Sequence, residues 1–204
     1  MEFLLRKGIS VKVDPVISSH YEGCSWRSLT YMSISALILD RVNRKMLFPV
    51  LPRARGASIR RAMFVTEEIQ ALLTSPRGDL AWEQRIAELR ADLEVFVEAR
   101  TIDPKYLFLL YPAADATWEV RSIRDKPSLR ILGGFADRDI FVATTFAERE
   151  VLGGWQSREW KTIKRRAGAK WRAMLHPYRP KLGINAKVLA TGALDGKYFK
   201  TDPR

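Results

Sequence analysis

Apolar positions recur with a helical period in the second third of the chain and near its end, and with a strand-like alternation between those two regions. Just after Met63, Thr66 precedes Glu67 and Glu68, and Ile69, Leu72 and Leu73 supply an apolar stripe. A hydroxyl cap followed by acids in the first turn stabilises a helix N-terminus, so a helix is predicted from Thr66 until Pro76 and Gly78 end it. Asp79 can cap a second helix. In it Trp82, Ile86, Leu89, Leu93 and Phe96 recur at steps of four and three and so share one face, while Glu83, Glu88, Asp92, Glu94 and Glu98 are read as its solvated side.

Asp103-Pro104 has the form of a cap and first helical residue, yet the run from Tyr106 to Tyr111 is equally apolar enough for a buried strand. A short helix is the reading taken. After Pro112 the period changes to two: Trp118, Val120 and Ser122 alternate with Glu119, Arg121 and Ile123. A turn at Asp125 to Ser128 leads to a second strand from Leu129 to Phe135. Another turn, Ala136 to Asp139, leads to a third from Ile140 to Phe146, rich in β-branched and aromatic residues. This is a three-stranded antiparallel meander.

Gly153-Gly154 then breaks the chain, and Ser157 can cap a last helix reaching to residue 175. At 100° per residue Trp160, Ile163, Ala167, Trp171 and Met174 fall on one face, and Arg158, Lys161, Arg165 and Arg172 cluster about a third of a turn away. Gly168 inside this helix costs about 1 kcal/mol relative to alanine. Pro177 and Pro180 end it. The expected fold class is therefore α+β, with two N-terminal helices, a three-stranded antiparallel meander and a basic C-terminal helix. Residues 1–62, broken by Pro15, Pro49, Pro52 and Gly56 and ending in Arg53, Arg55, Arg60 and Arg61, read as a poorly patterned N-terminal extension. Residues 63–178 read as the α+β domain and 179–204 as a basic C-terminal tail.

Charge narrows the partner. The 35 Lys and Arg against 23 Asp and Glu give +12, but unevenly: +7 over residues 1–62, −5 over 63–103, zero over 104–150 and +10 over 151–204. A positive field favours polyanions. Between residues 158 and 172 there are seven basic residues and one acid, more than solubility requires. Phosphate contact by Arg158, Lys161, Arg165 and Arg172 is expected, with nucleic acid as partner, RNA ahead of DNA. An acidic protein partner is the alternative. Trp155, Trp160 and Trp171 offer stacking surfaces, although Trp160 and Trp171 lie on the apolar stripe and are better read as core.

Cysteine and histidine are scarce. Cys24 is the single cysteine, so no intrachain disulfide can form and a reducing, cytoplasmic location is expected. With His20 and His176 the only histidines, a Cys/His zinc site cannot be assembled, and no metal or cofactor is expected. The apolar run from Leu29 to Leu39 stops well short of the ~20 residues that span a bilayer, so no membrane association is expected. Motifs for nucleotide cradling, serine hydrolysis and zinc hydrolysis are absent. The glycine pairs at 133–134 and 153–154 are read as a bulge and a helix boundary. Any catalysis must rest on Arg, Lys, Tyr or carboxylates.

The order of elements, with Trp118-Glu119-Val120-Arg121-Ser122, Leu129-Arg130-Ile131, and Ile140-Phe141-Val142-Ala143 leading into Ala147-Glu148-Arg149-Glu150, resembles the RelE/HigB-type toxin family over residues 64–178. The resemblance implies a RelE-like fold of bacterial origin, toxin–antitoxin biology and metal-independent cleavage of messenger RNA on the ribosome. Arg130 and Arg149 would match the family's active-site arginines, Arg121 the basic residue of the first meander strand, and Tyr178 or His176 the late aromatic or imidazole group. Some family members carry two alternating lysines on the first meander strand, where this chain has Glu119 and Arg121, and a guanidinium is a poor general base. A purely structural alternative pairs Arg121, Arg130 and Arg149 with Glu119, Glu148 and Glu150. Three functions stay open: an RNA-targeting toxin-like enzyme, a non-catalytic nucleic-acid-binding protein, and a protein-interaction module.

Overall fold

The computed structural model describes residues 32–194 apart from 55, 77, 124 and 125. His20, Cys24, Arg55, Asp125 and the end of the tail lie outside the described residues.

Six strands form one mixed sheet. Helix α1 (Ile34–Asn43), capped by Ser33, precedes β1 (Leu47–Pro49) and β2 (Ala62–Thr66). Helices α2 (Glu67–Thr74) and α3 (Leu80–Glu98) follow, then β3 (Leu107–Leu109), β4 (Trp118–Ser122), β5 (Leu129–Asp137) and β6 (Ile140–Glu148). Helix α4 (Arg158–Leu175) and the short α5 (Ala186–Leu189) complete the described chain. The strand order is β1-β2-β6-β5-β4-β3, with β2 and β6 parallel and every other neighbouring pair antiparallel.

This corrects the fold expected from the sequence. The three meander strands are consecutive antiparallel neighbours, but they are half of a six-stranded mixed sheet, and the described residues hold five helices rather than two and a closing one. The expected arrangement of two N-terminal helices, a three-stranded meander and a closing helix falls with that correction. The physical reason lies in β2. All five of its residues are buried, because α2 and α3 cover one face of the sheet and α1 and α4 the other. A strand buried on both faces loses the alternation that marks a half-buried one. The short helix expected between Tyr106 and Tyr111 is corrected for a similar reason. An apolar run with no period suits helix and strand equally, and pairing of Leu107 with Val120 and Leu109 with Trp118 makes its centre the edge strand β3.

The larger core lies under α2 and α3, where Phe135 meets Phe141 at 5.1 Å and Trp118 at 5.6 Å between ring centroids, both edge to face. Ile86, Leu89, Leu93 and Phe96 of α3 are buried in it. Asp92 is buried too, against its assignment to the solvated side, and accepts the Ser122 hydroxyl. Thr66 stands before α2 as the sequence suggests, but its hydroxyl donates to the Thr144 carbonyl instead of capping the helix.

On the opposite face α4 serves two clusters. Trp171, Met174 and Leu175 pack with Leu37, Ile38, Phe64 and Val142, and Trp160, Ile163 and Ala167 pack with Leu110, Leu132 and Leu152. Ser157 caps the helix, its hydroxyl accepting from the Trp160 amide at 3.1 Å. No helix among the described residues is long and apolar enough to cross a membrane.

Candidate functional site

Close approach of the chain to α4 begins with two glycines. The β5–β6 register shifts between Leu132 and Gly133, and a Cβ on Gly133 would lie 2.1 Å from the Val142 carbonyl oxygen. A Cβ on Gly134 would lie 2.9 Å from Pro180 and 3.2 Å from the Trp171 ring. The bareness of Gly133 lets β5 and β6 approach at the register shift, and that of Gly134 lets Trp171 and the segment after α4 sit against the sheet. The Trp171 indole donates to the Tyr178 carbonyl at 2.9 Å, and the Lys181 amide donates to the Phe135 carbonyl at 2.7 Å, so the chain turns back along its own helix.

That return leaves a groove of about 1560 Å³ beside α4, floored in part by Thr117, Gly133 and Thr144 and walled by Arg179, Pro180 and Leu182. Seven cationic side chains line it, Arg158, Lys161, Lys164, Arg165, Arg166, Arg172 and Arg179, against the single carboxylate of Asp115. Ala167, Gly168 and Ala169 interrupt the cations with small residues and leave room between them. Arg158, Lys161, Arg165, Arg172 and Arg179 are exposed, and none forms an ion pair among the described residues. Arg166 is tied down, donating to Glu68 at 2.8 Å, and Lys170 donates to the same carboxylate. Lys164 donates to the Tyr111 carbonyl at 2.7 Å, which holds its position without neutralising its charge.

Of the residues singled out in the sequence, Arg158, Lys161, Arg165 and Arg172 all come together in this groove. Lys164, Arg166 and Arg179 line it as well, beyond the four expected. For Arg179 the available signal was its position between two proline stops, Pro177 and Pro180, where a chain reverses. Glu68 carried no signal, since it lies 98 residues from Arg166.

Arg121, Arg130 and Arg149 gather elsewhere, around Glu119. This carboxylate is wholly buried; it accepts from Arg121, and its second oxygen lies 3.9 Å from the Arg130 guanidinium. That second oxygen has no hydrogen-bond donor among the described residues. Burial pushes the Glu119 carboxyl above the usual carboxylate range, and the charges of Arg121, Arg130 and Arg149 oppose the shift without cancelling it. Arg121 also lies over the Phe108 ring, 4.3 Å from its centroid, and Arg149 donates to the Gly153 carbonyl at 2.8 Å. Tyr178 is not brought to this cluster. It follows the far end of α4, packs with the α1 cluster, and its hydroxyl donates to the Met32 carbonyl. His176 is the C-terminal cap residue of α4 and is exposed.

For phosphate chemistry the two clusters differ. The arginines around Glu119 share a buried anion, which lowers the field they present outward. The groove cations other than Arg166 keep theirs. Among the described residues no three His, Cys, Asp or Glu side chains gather as metal ligands. Fold and site together define an α+β protein with a mixed sheet between two helical layers and a cationic groove along one of its helices. Comparison with protein-family models, with curated proteins and with solved structures finds no match.

Proposed function

We propose that this chain binds nucleic acid through the groove along α4, without itself carrying out a reaction there. The observation that supports this reading is the imbalance of seven cations to one carboxylate around the groove, five of the cations being exposed and without an ion pair among the described residues. An exposed cation with no internal partner is hydrated and surrounded by mobile ions, and a phosphate can replace these at little cost. Repeating cations along one helix suit a ligand whose charge also repeats, which a nucleic-acid backbone supplies. The arginines near Glu119 carry none of the argument for this reading, because the buried carboxylate already accepts from Arg121 and lies against Arg130.

The test is fluorescence anisotropy with labelled RNA across a salt series. Each phosphate contact should add about −0.9 (duplex) or −0.7 (single strand) to the slope of log affinity against log salt concentration. Binding that does not weaken with salt, or no binding at low salt, would refute the reading. A protein pull-down that survives nuclease treatment, with no RNA binding, would point instead to an acidic protein partner.

A further inference from the structure

Close to the N-terminal end of α4 an aromatic surface stands open beside the cations. The Trp155 indole stacks on the buried Trp160 ring, 4.8 Å between centroids and 17° between planes, yet keeps 52% of its own surface exposed. Phe108 lies 6.0 Å from Trp155 and is 43% exposed, and Tyr111, whose carbonyl is held by Lys164 of the groove, is 85% exposed. The Arg121 guanidinium lies over Phe108 and 5.8 Å from the Trp155 ring. Trp160 already closes the core at this point, so Trp155 adds little to it. Two exposed rings in contact form a contiguous apolar patch, the kind of surface that a stacking ligand can cover.

We infer that the ligand of the α4 groove is a single strand, one of whose bases stacks on Trp155 beside Phe108 while its phosphates follow Arg158, Lys161 and Arg165. This rests on the nucleic-acid reading and narrows it. A duplex keeps its bases stacked inside, so it can use the cations and not the rings; an unpaired strand can use both. Stacking on Trp160 holds the Trp155 ring in place before any ligand arrives, which lowers the ordering cost of binding.

The experiment compares labelled oligouridylate with a fully paired RNA duplex of equal length, on the wild-type chain, Trp155→Ala and Trp155→Phe. The wild type should bind the single strand more tightly, and its tryptophan fluorescence should be quenched by that ligand alone. Trp155→Ala should weaken single-strand binding by about tenfold and leave duplex binding unchanged. Trp155→Phe, which keeps a stacking ring, should recover most of the loss. Equal affinity for the two ligands, or a Trp155→Ala variant that binds the single strand as the wild type does, overturns the inference and leaves the groove reading standing. A wild type that binds neither ligand overturns both.

Discussion

Arg61 and Arg165 are the same residue in opposite circumstances. Arg61 has no exposed surface; its guanidinium donates to the carbonyls of Phe96, Ala99, Arg100 and Ala190, with the Asp139 carboxylate 3.8 Å away. Asp139 in turn accepts from the Thr191 hydroxyl and from the amides of Gly192 and Ala193. Together they clasp the C-terminal segment to the end of α3 and to the β5–β6 turn. Arg165 is exposed, touches the groove and has no ion pair among the described residues. Both count once toward the net charge of +12. Only one contributes to the field a ligand meets. A charge engaged by internal carbonyls holds the fold, and a charge left in water is available for binding.

Breaking the clasp should have the largest effect. Arg61→Ala removes the buried cation, leaving Asp139 without its partner and several carbonyls unsatisfied, at a cost of about 3–5 kcal/mol. For a chain of this size that lowers the melting temperature by roughly 10 °C. Urea unfolding measures it, and a loss below ~1 kcal/mol would show that the clasp contributes little.

Glu119→Ala comes next, at about 3 kcal/mol, because Arg121 and Arg130 lose the anion they share while staying largely covered. The pH dependence has a definite sign. Burial raises the Glu119 carboxyl in the folded chain above its unfolded value, so the folded state holds this proton more tightly. Stability from this titration is fully present below the unfolded value and is lost as pH rises through the folded one. Relative to Glu119→Gln, which cannot titrate, the wild type should therefore gain stability as pH falls. Parallel pH profiles would count against that.

The groove should behave in the opposite way to the clasp. Lys161→Ala, Arg165→Ala and Arg172→Ala combined should change stability by no more than about 0.5 kcal/mol per site, yet should flatten the salt dependence of RNA binding by up to about 0.7–0.9 for each phosphate no longer engaged. Large destabilisation with unchanged binding would invert the comparison. The smallest effect belongs to Glu68→Ala. Its ion pairs with Arg166 and Lys170 are partly exposed and contribute at most about 1 kcal/mol. Removing this carboxylate frees two cations, so RNA affinity should rise slightly as stability falls, and anisotropy at low salt would detect it.

Legibility followed the range of the forces involved. Helices α3 and α4 could be read because their caps, Asp79 and Ser157, and their apolar periods lie within single stretches of sequence. The apolar and charged residue types of β4 alternated visibly, although Glu119 is buried as fully as its apolar neighbours. β2 did not, since helices cover it on both faces, and β3 became a strand only through its pairing with β4. Asp92 and Ser122 sit 30 residues apart, and no local pattern announces that a carboxylate on an otherwise acidic helix face is buried against a strand. In the segment before residue 63, α1 and β1 were hidden because their short apolar runs are separated by basic residues and prolines.

What the sequence by itself determined was the segregation of α4 into an apolar stripe and a cationic face, because helix geometry and side-chain type depend only on neighbours three and four residues apart. Which of those cations remain open to a ligand was decided by tertiary structure alone. Glu68 engages Arg166 and Lys170 from about a hundred positions away, Gly134 admits Pro180 and Trp171, and the returning chain adds Arg179 as a second wall. Charge is a property of the residue, but its availability depends on which partners the fold brings within hydrogen-bonding distance.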